Sequence, residues 1–146
     1  MKKIFLIVFL IIVMTIAYYQ IPQRMTDKAS DIKFDRIVIN QMVLDKNGAF
    51  CNSAITINDK AKIDELYNFL FTRKYKRVWY KDYLKYSGKT YMIFFSKSNQ
   101  LEISVEILGD MYIQIIFNEE LNKKRYSKTY RLDKDFDTKY IEKMFE

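Results

Sequence analysis

Histidine does not occur in this chain. Its absence removes the side chain that most often serves as a general base near neutral pH and most often ligates transition metals. Cysteine occurs once, as Cys51, so no intramolecular disulfide can form. Cys51 sits in an apolar, strand-like run (Ala49, Phe50, Cys51), which points to a buried, inert thiol rather than a reactive one. Glycine occurs three times and proline once. No Gly-rich phosphate loop, nucleophile elbow, zinc spacing, or Ser/His or Cys/His pair can be assembled from such a sequence. Internal repeats and low-complexity tracts are also missing. An enzyme is therefore not expected, and no cofactor or metal is called for.

What the chain does have is length for one domain, 146 residues, and a positive balance. The formal charge is +7. Lys2 and Lys3 supply two of those units, which leaves +5 for everything beyond the N-terminal segment. A field of that size favours anionic surfaces without naming one.

Lys2 and Lys3 are followed by sixteen residues, 4–19, with nothing more polar than Thr15 and two tyrosine hydroxyls. A basic start followed by an apolar run at the extreme N-terminus is an export signal or a membrane anchor. Residues 4–21 would span about 27 Å as a helix, close to the roughly 30 Å hydrocarbon core of a bilayer. Ile4, Phe5, Leu6, Ile11 and Val13 would then face lipid, with Tyr18 and Tyr19 in the outer interface where aromatic rings are enriched. The alternative is a cleaved signal, with Thr15-Ile16-Ala17 as the cleavage site and secretion of the remainder. The bulky Tyr18 and Tyr19 immediately after that site favour the uncleaved anchor. The two lysines keep the N-terminus in the cytoplasm, so a single-pass protein with an extracytoplasmic C-terminal domain is expected. No cysteine follows the apolar run directly, which excludes a lipoprotein anchor.

Three regions result: residues 1–21 as signal or anchor, 22–33 as a polar linker, and 34–146 as the extracytoplasmic domain. Residues 34–44 and 50–57 read as two strands joined at Asp45-Lys46-Asn47-Gly48, a hairpin turn signal. Asn58 then precedes a helix with Asp59 in its first turn. Ile63, Leu66, Tyr67, Leu70 and Phe71 form one apolar stripe, and the helix should end near Arg73, with Arg73 and Lys74 as C-terminal cations.

Four alternating segments follow. The inner positions are Tyr91, Ile93 and Phe95; Leu101, Ile103, Val105 and Ile107; Met111, Ile113, Ile115 and Phe117; then Tyr126, Tyr130 and Leu132. Such alternation describes an antiparallel meander with one face on the core and one in water. A last short helix, capped by Asp133 or Asp135, places Phe136, Tyr140, Ile141, Met144 and Phe145 on one face. The expected fold is α+β: an antiparallel sheet of five or six strands with two helices packed on one face, preceded by the transmembrane or signal helix.

Between residues 73 and 89 cations alternate with rings. Lys74, Lys76, Arg77, Trp79, Tyr80, Lys81, Tyr83 and Lys85 are the candidate binding residues, because cations meet phosphate or carboxylate while rings lie on sugars or the lipid interface. The plainer reading is a soluble loop with its aromatics packed beneath it. Outside the membrane the anions on offer are lipid headgroups and wall polymers, so nucleic acid is not an expected partner. Glu102 and Glu106 lie four residues apart on one strand, about 13 Å along it, too far for a glycosidase pair, and read as solvated sheet residues. Asp133, Asp135 and Asp137 lack the glycine and glutamate of a calcium loop and read as helix caps.

The run Ile55-Thr56-Ile57-Asn58-Asp59-Lys60-Ala61-Lys62-Ile63-Asp64-Glu65-Leu66, with Gly88-Lys89-Thr90-Tyr91 and the tail Tyr140-Ile141-Glu142-Lys143-Met144-Phe145, resembles small Firmicute cell-envelope proteins of unknown function. The resemblance implies a compartment and a fold, with no catalytic residues to carry over. The leading expectation is a non-enzymatic envelope protein, anchored or secreted, that binds an anionic envelope component or another surface protein. The alternative is an immunity or accessory protein that binds a toxin or a membrane partner, and a cryptic hydrolase ranks below both. The residues leave the oligomeric state open.

Overall fold

The computed structural model describes residues 2–24, 32–45, 48–78, 88–119, 124–133 and 136–146. Helix α1 (Lys2–Gln20) carries the apolar run. It closes with the bond from Ile21 N to Ala17 O, 2.9 Å, and Pro22 stops its continuation because it lacks an N–H. The strands are β1 (Gln23–Arg24), β2 (Arg36–Asp45), β3 (Gly48–Ile57), β4 (Lys74–Arg77), β5 (Gly88–Lys97), β6 (Gln100–Leu108), β7 (Tyr112–Glu119) and β8 (Lys124–Arg131). Helix α2 (Lys60–Phe71) connects β3 to β4, and α3 (Lys139–Glu142) leads into a 3-10 turn at Lys143–Phe145.

The strands form one sheet in the order β1-β4-β8-β7-β6-β5-β2-β3, with every neighbouring pair antiparallel. The α+β class and the meander β5-β6-β7-β8 match the sequence reading. The strand count does not: the sheet has eight strands, not five or six. The additional two are β1, inside the stretch read as linker, and β4, inside the stretch read as the end of a helix and a loop. Helix α2 accordingly stops at Phe71, with Thr72 as its C-cap, and not at Arg73.

Alternation decides which side chains form the core. Ile37, Ile39, Ile93, Phe95, Ile103, Val105, Ile107, Ile113 and Ile115 are all buried on one face of the sheet. Ile63, Leu66, Leu70 and Phe71 of α2 cover that face together with Phe136 and with Ile141 of α3, which places α2 and α3 on the same side of the sheet. Phe34, Tyr67, Phe71 and Phe95 add a cluster of ring contacts at 4.7–6.4 Å. Beyond the end of α2, the Arg73 guanidinium lies 4.7 Å from the Phe69 ring and 5.7 Å from the Phe136 ring. It covers apolar surface with its stem and faces the rings with its charge.

Helix ends and turns differ from expectation in detail. Asp59, not Asn58, is the N-cap of α2, and its carboxylate accepts from Lys62 N at 3.0 Å. Helix α3 starts after Thr138, which makes no side-chain capping bond. Asp133 instead accepts Phe136 N through its backbone carbonyl, and Asp137 accepts Lys139 N through its carboxylate. Met111 belongs to the β6–β7 turn and is 44 % exposed, so it is not an inner-face residue. Ser98 and Asn99, with φ of 51° and 65°, form the two-residue β5–β6 turn. Two positive φ values suit the right-handed twist of the flanking strands.

The second face of the sheet is less wet than alternation implied. Val38, Met92, Phe94 and Ile116 are half-buried on it, and burial pushes the Glu106 carboxyl above its ordinary pKa.

Candidate functional site: the cationic edge beside helix α1

Strand β4 brings the sequence-predicted cations to the sheet edge that meets α1. Tyr75 holds the strand in place: it is buried, and its hydroxyl donates to Leu70 O at 2.8 Å. Burial raises its pKa, so the phenol stays protonated as that donor. Because side chains alternate along a strand, Arg77 shares the face of Tyr75, whereas Lys74 and Lys76 point to the other. On the inner side the Arg77 guanidinium stands 4.0 Å from the Tyr18 ring centroid and donates to Gln23 Oε1 at 2.5 Å. Arg77 thus ties the end of α1 to the sheet.

On the outer side the register opposes like charges. Arg24 faces Lys74 across β1 and β4, and Lys76 faces Arg131 across β4 and β8. Directly opposed like charges destabilise a strand pair. Arg24, Lys74 and Arg131 are exposed and Lys76 is half-buried. No ion pair to any of the four is seen among the described residues.

A groove of about 970 Å³ runs along this edge. Ile16, Tyr19 and Gln20 of α1 form one wall, Met111, Leu132 and Phe136 provide apolar lining, and Lys76, Arg77, Arg131 and Lys139 carry its positive charge. Asp110, Asp133 and Asp137 also line it, so it is amphipathic rather than uniformly basic. The wall residues belong to a helix long and apolar enough to cross a membrane, none of whose residues 3–20 is buried. Ile4, Phe5, Leu6, Ile11, Val13 and Tyr18 are all exposed along it, and Tyr19 is half-exposed with its ring 5.3 Å from that of Tyr18.

Of the candidates read from the sequence, Lys74, Lys76 and Arg77 share this edge with Tyr18. Trp79, Tyr80, Lys81, Tyr83 and Lys85 lie outside the described residues. Sequence reasoning missed Arg24 and Arg131, whose place depends on strand register. Alternation within residues 124–131 was the only available signal for Arg131.

A second polar cluster joins the C-terminus to β5. Glu142 Oε1 accepts from Lys89 Nζ at 2.6 Å and from Tyr91 OH at 2.9 Å. The hydrogen bond from Lys89 holds the Glu142 carboxyl below its ordinary pKa, and the same bond raises that of Lys89. Nearby, burial pushes the Tyr140 phenol up to about 12; the Glu65 carboxylate adds to this without reaching hydrogen-bond geometry. These groups hold the C-terminal turn against the sheet. Among the described residues no group of three His, Cys, Asp or Glu side chains is placed to hold a metal ion. In comparisons with known proteins, no family model, no curated protein and no solved structure matches the chain.

Proposed function

We propose that this chain is a membrane-tethered binding module without catalytic activity, whose β1–β4–β8 edge engages phosphate-bearing molecules at the outer surface of the bilayer. One observation carries this reading: two successive like-charge pairs, Arg24–Lys74 and Lys76–Arg131, stand on the sheet edge that abuts the end of the apolar helix. An oxyanion seated between such cations converts mutual repulsion into charge-assisted hydrogen bonds. The apolar wall formed by Ile16 and Tyr19 suits the glycerol and upper acyl region of a lipid, while the cations suit its phosphate.

The shared chemistry is a phosphodiester whose negative charge no cationic headgroup offsets, presented either by an anionic lipid or by a glycerol-phosphate wall polymer. Native mass spectrometry of the full chain in detergent, titrated with phosphatidylglycerol or phosphatidylcholine, separates the sources when a soluble polyglycerol-phosphate is added in a parallel arm. The expected result is preferential retention of the anionic species, weakened by salt. Binding should be about tenfold weaker in the Lys76→Gln/Arg131→Gln double variant, as for the loss of roughly 1.4 kcal/mol. Equal retention of both lipids, no binding of the polymer and no effect of the double variant would refute the reading.

A further inference from the structure

The two edges of the sheet are built differently. At one end stands β1, two residues long and bearing Arg24, beside the cations of β4. At the other stands β3, ten residues long, Gly-Ala-Phe-Cys-Asn-Ser-Ala-Ile-Thr-Ile, without a charge or a proline. Edge strands usually carry lysine, proline or extreme shortness, which discourage further strand pairing. The first edge has such protection. In β3 the only such device is a bulge: Gln41 pairs with Ser53 and Met42 with Cys51, which leaves Asn52 as the extra residue. The Gln41 side-chain oxygen accepts from Asn52 Nδ2 and Ser53 Oγ and pins the bulge in place. Beyond it residues 53–57 pair with β2 without a further register shift, with Ala54 and Thr56 exposed, and among the described residues no strand pairs with the outer side of β3.

We propose that β3 is the pairing edge for a second copy of this chain, joined through an antiparallel β3–β3 ladder about a two-fold axis. A two-fold axis sets a strand against itself, so residues equally far from the axis on its two sides face each other and the one on the axis faces itself. A charged strand would meet its own charge there; β3 has none to oppose. The rim beside it carries both signs, with Lys62 and Lys143 against Asp59, Glu65 and Glu146 around a hollow of about 570 Å³ next to Ile55 and Ile57. A rim of mixed sign can match its own copy across a two-fold axis, which the cationic edge cannot do. This inference concerns a different surface from the phosphate site and stands without it.

The test uses the full chain in lipid vesicles at low protein density. Energy transfer is measured between donor- and acceptor-labelled copies of the native chain, of Ala54→Lys/Thr56→Lys, of Ala54→Glu/Thr56→Glu, and of a mixture of the two variants. The native chain should associate and each charge variant should associate about tenfold less, with association restored in the mixture, because like charges across a ladder repel and unlike charges attract. Circular dichroism verifies that the variants fold. If they do not, the double variant Ala54→Cys/Thr56→Cys in a Cys51→Ser background, which sets a thiol opposite a thiol for an axis at residue 54, 55 or 56, should give a cross-linked dimer on oxidation. Absence of transfer for the native chain, equal association of all four samples, or no cross-link overturns the proposal.

Discussion

Glu142 is where single-residue chemistry is most exposed to test. One carboxylate oxygen receives both the Lys89 ammonium and the Tyr91 hydroxyl. The folded pKa of Glu142 is depressed, so its contribution is complete above the unfolded value, about 4.3, and is lost as pH falls through the folded one. Lys89 is raised, so its share persists below the unfolded value, about 10.4, and disappears only as pH rises past the folded one. The C-terminal latch is therefore whole between those limits. The two side chains are 46 % and 38 % exposed, so the pair contributes no more than about 0.2–1 kcal/mol and weakens with salt. Relative to intrinsic exchange, the protection of the 142–145 amides should fall in the native chain as pH drops through the depressed pKa of Glu142. In Glu142→Gln that protection should already be reduced at pH 7, without the acid-side step. An identical pH profile for both would remove Glu142 from this role.

Helix α2 shows what can be read at the scale of an element. Its apolar stripe, and the alternation in β5, β6 and β7, were legible because burial of one face imposes a period on the residues themselves. The identity of the cap was less so: Asn58 and Asp59 are both good N-caps, and only the bond to Lys62 N separates them. Asp59→Ala should cost about 1 kcal/mol in urea unfolding, whereas Asn58→Ala should cost little; the reverse order would reassign the cap. Strand β4 was illegible for a different reason. Lys74-Tyr75-Lys76-Arg77 has one buried residue in four, too few to show a period, and its basic composition reads equally as the end of a helix. Tertiary contacts make it a strand: Tyr75 bonds to Leu70 O under α2, and β8 pairs with Lys76 and Arg77. The candidate site inherits this limit. Lys74, Lys76 and Arg77 were singled out by composition, but the partners that give them meaning, Tyr18, Gln23, Arg24 and Arg131, come from register and docking.

At the scale of the molecule the sheet is asymmetric, with a short cationic edge joined to α1 and a long uncharged edge at the opposite end. Arg77 on the Tyr18 ring fixes the cationic edge beside the end of α1, which the proposed function sets at headgroup level. The proposed function, unlike the fold, depends on α1 lying in the bilayer with the sheet outside. The direct measurement is labelling of Ala61→Cys, an exposed position on α2, with a membrane-impermeant maleimide in intact cells, in a Cys51→Ser background. The account expects full-length chain in the membrane fraction, labelled without lysis. Labelling only after lysis, or recovery of the full-length chain from the soluble fraction, would contradict it.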